Sequence, residues 1–140
     1  EKAFEIVDYR GKCDRKQVND IYNECMIGAD NILRVGQYPQ IRTLSTKVYE
    51  YMIMKMPYFT SDFDFNKEII DQYQCGVYVE PEDVDAVADA IRFFIDNKEK
   101  GKIMGENGRK LVEEEFNWSV DEKRLFDLYA RLHRKLNEKK

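Results

Sequence analysis

Short apolar runs alternate along this chain with stretches whose apolar residues return every three or four positions, and that alternation most constrains the fold. Ala3 to Tyr9 mixes apolar and β-branched residues and closes at Gly11, the pattern of a strand followed by a turn. Asp14 with Gln17 three residues on forms a capping-box signature, and Val18, Ile21, Tyr22 and Cys25 then share one helical face. Met26 to Ala29 reads as a second strand, and Arg34 to Thr43, with Gly36 and Pro39, as a loop. Ser45 or Thr46 opens the next helix, with Val48, Tyr49, Met52 and Met56 inward and Pro57 as its stop. Tyr58 to Thr60 follows as a strand, Lys67 to Tyr73 as a short helix, and Gly76 to Val79 as a further strand. Asp83 caps a helix carrying Val84, Val87, Ala88, Ile91 and Ile95, and helical segments run on with breaks near Gly101 to Gly108 and at Asn117.

Strands alternating with helices over short connections specify the α/β class: a Rossmann-like, doubly wound parallel sheet of about four strands, with a helical C-terminal extension. The 140 residues suit a single domain, 1–140, and a first strand so close to Glu1 suggests truncation on its N-terminal side. Hydrophobic residues at 43% and aromatics at 13% exclude a disordered chain. A net charge of −4 argues against a nucleic-acid partner, which needs clustered excess Lys and Arg. The apolar run Tyr51 to Met56 contains Lys55, and no stretch is long enough for a membrane span. Cys13, Cys25 and Cys75 share no C-x-x-C spacing, which argues against a disulfide framework or zinc site and for a reducing, cytoplasmic setting. The single histidine, His133, lies in a charged C-terminal helix and reads as a surface residue, which excludes a histidine-based catalytic triad or a multi-histidine metal site within this chain.

Ligands of open α/β sheets lie beyond the carboxyl ends of the strands, where the chain enters the next helix. Such turns are Arg10-Gly11-Lys12-Cys13, Leu44-Ser45-Thr46-Lys47, and Ser61-Asp62 with Asn66 and Glu68. The middle one carries the most chemistry. A helix N-terminus presents unpaired N–H groups and the positive end of a dipole to an anion, and Glu50 follows about a turn later. Phosphate on the N–H groups and a sugar diol on the carboxylate suit that spacing. A plain Ser/Thr cap accounts for the hydroxyls equally well. Asp62, Asn66 and Glu68 either reach a ligand or cap the short helix. Met52, Met54 and Met56 read as core filling, Glu113 to Glu115 as a solvated face, and Trp118 with Phe116 as the anchor of the last helix.

The wording of these segments resembles one family. TKVYEYMIMKMPYFTSD is similar to the K-x-x-E-Y-M-A-x-x-x-P-V-I-x-[ST]-D stretch of GT-B glycosyltransferases of the family-4-like type. YRGKCDRKQVNDIYNECMIG, CGVYVEPEDVDAVADAIRFFIDN and MGENGRKLVEEEFNWSVDEKRLFDLY resemble its flanking blocks in the same order, so the likeness spans nearly the whole chain. It implies the C-terminal, nucleotide-sugar-binding half of a GT-B fold. It further implies a hexosyltransferase type of activity, as in polysaccharide biosynthesis, that is retaining and uses no metal or other cofactor. The donor is a nucleoside-diphosphate sugar. Glu50 aligns with the second Glu of an E-x7-E motif, which holds the donor ribose. Thr46 and Lys47, with Ser45 beside them, align with backbone that touches the diphosphate, and Gly11, Lys12 and Cys13 with the turn against the base.

Two departures accompany the likeness. Arg42 stands where the motif has its first Glu, a Glu that a branch worded S-x-[PT]-K-x-x-E-Y also lacks. The family's first βα unit of this domain and its N-terminal, acceptor-binding domain are not in these residues, so the chain alone is expected to be inactive and no catalytic residue is assigned. Membrane contact is expected only through the missing part. The rival reading is a non-catalytic Rossmann-like interaction or regulatory module; a nucleotide-sugar epimerase of the same architecture is a weaker one, lacking visible acid/base residues.

Overall fold

The computed structural model describes residues 5–137. Its elements run α1 (Arg15–Glu24), β1 (Gly28–Asp30), α2 (Thr46–Ile53), β2 (Tyr58–Ser61), α3 (Asp64–Tyr73), β3 (Val77–Val79), α4 (Val84–Asp96), α5 (Lys98–Glu114) and α6 (Trp118–Asn137). The strands form one parallel sheet in the order β1-β2-β3, with Gly28 opposite Tyr58 and Phe59 opposite Val77. Parallel neighbours need crossover connections, and α2 and α3 supply them.

Every residue of the central strand β2 is buried, because helices cover both faces. Successive strand residues point to opposite sides, so Tyr58 and Phe59 seed two cores. Tyr58 joins Val48 and Met52 of α2, Ile69 and Ile70 of α3, and Leu111 of α5. Phe59 joins Val79 of β3 and Ala90 and Phe94 of α4. This is the doubly wound, Rossmann-like arrangement expected, and Met52 and Met56 are core residues as read.

Among the described residues, 5–9 of the first expected strand do not form one. Ala3 lies outside the described residues, Glu5 and Ile6 make a tight helical turn, and residues 7–10 pair with nothing in the sheet. Ile6 and Tyr9 are 89% and 86% exposed, so apolar composition there is not matched by a face to bury it. Among the described residues the sheet has three strands, where about four were expected.

Glycine in α5 is the other departure. The helix runs unbroken from Lys98 to Glu114, where Gly101 to Gly108 was expected to interrupt it. Gly101, Gly105 and Gly108 are buried on one face of α5, the first against Phe94 and Pro57, the other two where the helix crosses the end of α2. A Cβ on Gly105 would overlap the Lys55 carbonyl oxygen, and one on Gly108 would sit 3.0 Å from Met52 Cγ. Close packing here outweighs the roughly 1 kcal/mol helix penalty of each glycine. The break at Asn117 is real, and its Oδ1 accepts the Val120 N–H at 3.2 Å. Trp118, expected as an anchor, is 68% exposed; Phe116 alone packs, edge-on to Tyr49 with ring centroids 5.6 Å apart.

Helix boundaries shift modestly. α2 stops at Ile53 because Lys55 turns into the left-handed region (φ 56°), before Pro57 has any effect. α3 starts at Asp64 instead of Lys67, with Phe63 as an N-cap that offers no side-chain oxygen.

Candidate functional site

The helix α2 begins just past the carboxyl end of β1, where the alternation places a ligand turn. Ser45 is its N-cap: extended (φ −68°, ψ 153°), with Oγ accepting the Val48 N–H at 3.4 Å. The cap reading of Ser45 therefore holds. The N–H groups of Thr46 and Lys47 lie in the first turn, where no earlier helical carbonyl exists to accept them. Both residues are exposed, so an anion can reach these groups.

Glu50 sits one turn further along, its side chain 20% exposed. Arg15 at the start of α1 donates from Nη1 to Glu50 Oε1, and the Tyr22 hydroxyl donates to Oε2 at 2.8 Å. These bonds, that of Arg15 foremost, hold the Glu50 carboxyl below its ordinary pKa against the opposing effect of burial. Burial, and then the bond to Glu50, push the Tyr22 phenol up. Tyr22 is in turn set edge-on against Tyr51 (centroids 5.6 Å, 76° between planes), whose hydroxyl donates to the Ala29 carbonyl of β1 at 3.1 Å. Gly28 makes room for that ring: a Cβ there would lie 2.5 Å from Tyr51 Cδ2. A continuous path thus runs from the sheet through Tyr51 and Tyr22 to the Glu50 carboxylate.

Gly11, Lys12 and Cys13 form the turn that leads into α1, with Gly11 in the left-handed region (φ 67°) that favours glycine. Asp14 caps α1 through the expected box, accepting from the Gln17 N–H at 2.9 Å while the Gln17 side chain accepts from the Asp14 N–H at 2.8 Å. Arg15 comes directly after this cap, so the box that orients α1 also orients the partner of Glu50. The structure thereby ties the turn of Gly11, Lys12 and Cys13 to the start of α2 through a single ion pair.

Asp30 had no place in the sequence reading. It ends β1, is 1% exposed, and lines a cavity of about 90 Å³ together with Thr43, Leu44, Ser45, Phe63 and Asn66. Thr60 Oγ1 donates to its Oδ2 at 3.3 Å. Lys47 Nζ stands 3.4 Å from Oδ1, within ion-pair range but outside hydrogen-bonding geometry, so that oxygen has no hydrogen-bond donor. The strand expected from the sequence ends at Ala29, so nothing there marked Asp30; its place as the last, buried residue of β1 comes from the structure.

The third turn is committed to structure. Asn66 is buried and donates to Thr60 Oγ1 at 3.0 Å and to the Ser61 carbonyl at 2.9 Å, so it ties α3 to β2 instead of capping a helix. Asp62 pairs with Arg34, which also reaches Glu80 at 3.0 Å. Glu68 accepts from Arg42 at 2.9 Å, and that guanidinium lies 5.3 Å over the Phe65 ring. Among the described residues, no group of three or more His, Cys, Asp or Glu could hold a metal ion, and no helix is long and apolar enough to cross a membrane.

The model of the family described as glycosyl transferases group 1 matches residues 7–111, more than half of the chain and all of the turns just described. The chain belongs to that family. Sucrose-phosphate synthase from Thermosynechococcus elongatus is similar in structure, with a TM-score of 0.74 at 20% identity over 94% of this chain. At that identity the likeness concerns the fold, which is the Rossmann-like half of a GT-B enzyme. The chain spans 31% of the synthase chain. No curated protein is a significant sequence match. By its description, the family groups proteins that transfer sugars.

Proposed function

We propose that the chain is the donor-binding half of a glycosyltransferase that takes a nucleoside-diphosphate sugar. The observation that carries this reading is the join at α2: free N–H groups at Thr46 and Lys47, and an ionised carboxylate at Glu50 one turn on. The diphosphate would lie on the N–H groups and the ribose diol on Glu50, with the base against Gly11, Lys12 and Cys13. When the sugar leaves, negative charge gathers on the diphosphate. N–H groups already aimed at it stabilise that charge without reorganisation, the same logic as an oxyanion hole. Retention of configuration and independence from metal rest on the family likeness alone, as does a hexose as the transferred sugar. Transfer itself needs acceptor-binding groups, which this site does not supply.

Arg42 favours a second reading. It occupies the place of the motif's first Glu and is drawn onto Glu68 and Phe65, so the acidic group that family members offer the sugar is replaced by a neutralised cation. A module that binds the nucleotide without transferring sugar accommodates that change. Calorimetric titration with UDP, GDP and ADP and their sugars separates the readings from a chain that binds none. Binding of one base, weakened by about 1–3 kcal/mol in Glu50→Ala, is expected. Unchanged affinity in that variant would remove Glu50 from the ribose. Turnover of the bound donor by the intact protein distinguishes an enzyme from a binding module.

A further inference from the structure

We infer that Arg15 and Tyr22 are positioning residues for Glu50, acting on the donor through that carboxylate and not by touching it. The inference rests on the donor-site reading above and concerns how the site is made competent.

Three observations carry it. A carboxylate has about four lone-pair sites, and Arg15 and Tyr22 take one on each oxygen. One site on each oxygen is left, which is what a cis-diol needs to dock with two parallel hydrogen bonds. The two partners therefore fix the plane of the carboxylate without blocking it. Secondly, both come from α1, none of whose residues is fully buried; Tyr22 packs on the edge of the core by its ring, which leaves its hydroxyl for Glu50, and the exposed Arg15 has no part in the core. Tyr22 is fixed by Tyr51 and the sheet behind it, while Arg15 is 65% exposed and is held by the Asp14–Gln17 box one residue away. Thirdly, Arg15 and Glu50 lie 35 residues apart, and this ion pair joins the turn at 11–13 to the start of α2. The charged and titratable groups facing Glu50 are Arg15 and Tyr22 from α1, with Tyr51 beside it on α2 itself.

A double-mutant cycle on the intact protein tests this, read as the dissociation constant of UDP, GDP or ADP, whichever wild type binds. Arg15→Met and Tyr22→Phe are each expected to weaken binding about tenfold, and each to add less than about threefold in a Glu50→Gln background. A group that touched the nucleotide directly would keep its full effect in that background, and such additivity overturns the inference. Unchanged affinity in both single variants overturns it too. If wild type binds no nucleoside diphosphate, or Glu50→Gln binds as wild type does, the donor-site reading fails first and the inference falls with it. Arg15 is exposed, so Arg15→Met keeps the test alive should Tyr22→Phe disturb packing.

Discussion

Glu50 stands between two helices of opposite construction. On one side α2 contributes Val48, Tyr51 and Met52 to the core and is crossed so closely by α5 that glycines are required at the contact. On the other side α1 has no buried residue, and α6, though twenty residues long with Leu125, Phe126, Tyr129, Leu132 and Leu136 along it, buries none either. The body supplies a fixed carboxylate and a fixed helix end. The lightly held α1 supplies the groups that orient the carboxylate. In the donor site proposed above, the ribose contact lies where a rigid element meets a loosely packed one, so the loose one can adjust at little cost to the core.

The sharpest way to break this contrast is at the α2–α5 crossing. Gly105→Val places a side chain into the Lys55 carbonyl and is expected to cost on the order of 4 kcal/mol, read as a lower midpoint in urea denaturation. Met52→Ala, in the same contact, should cost about 3 kcal/mol by leaving a cavity. Removing the Ser45 cap in Ser45→Ala should cost about 1 kcal/mol. Leu132→Ser on α6, which removes more apolar side chain than Ser45→Ala, should shift the stability of this chain by no more than about 0.5 kcal/mol, since that side chain is exposed and lies outside both cores. A Leu132 effect as large as that of Met52 would erase the distinction between the two regions.

The latch at Glu50 has a pH signature of known sign. Its carboxyl is held below the ordinary value in the folded chain, so its contribution is present above the unfolded pKa of about 4.3 and fades as pH falls through the folded one. Glu50→Gln should therefore flatten the loss of stability in acid, as followed by circular dichroism. Thiol labelling separates the regions once more. Burial pushes the Cys75 thiol up and shields it, so it should react only on unfolding, while exposed Cys25 reacts in the native chain.

Much of the body was legible because its local signals agreed with its packing. Ser45 and Asp83 announced their helices as caps, the apolar runs at Tyr58 and Val77 became paired strands, and Glu50 fell on the first turns of α2. What escaped was decided between distant residues. Glycine lowers helix propensity wherever it occurs, and only the approach of Lys55 to Gly105 and of Met52 to Gly108 shows why α5 carries glycine at those two positions. The run Ala3 to Tyr9 has strand composition, yet residues 5–10 find no neighbour to pair with. Asp30 looked like any loop acid until β1 was seen to carry it inside, and no spacing rule joins Arg15 to Glu50 across 35 residues.

We propose that Glu50 holds the ribose diol of a nucleoside diphosphate bound at the start of α2. The most direct test compares the affinity of the bound nucleoside diphosphate with that of its 2′-deoxy counterpart, in wild type and in Glu50→Gln. Wild type should prefer the ribose form by about tenfold, the scale of one charge-assisted hydrogen bond, and the variant should lose most of that preference. An equal preference in the two proteins would contradict the assignment.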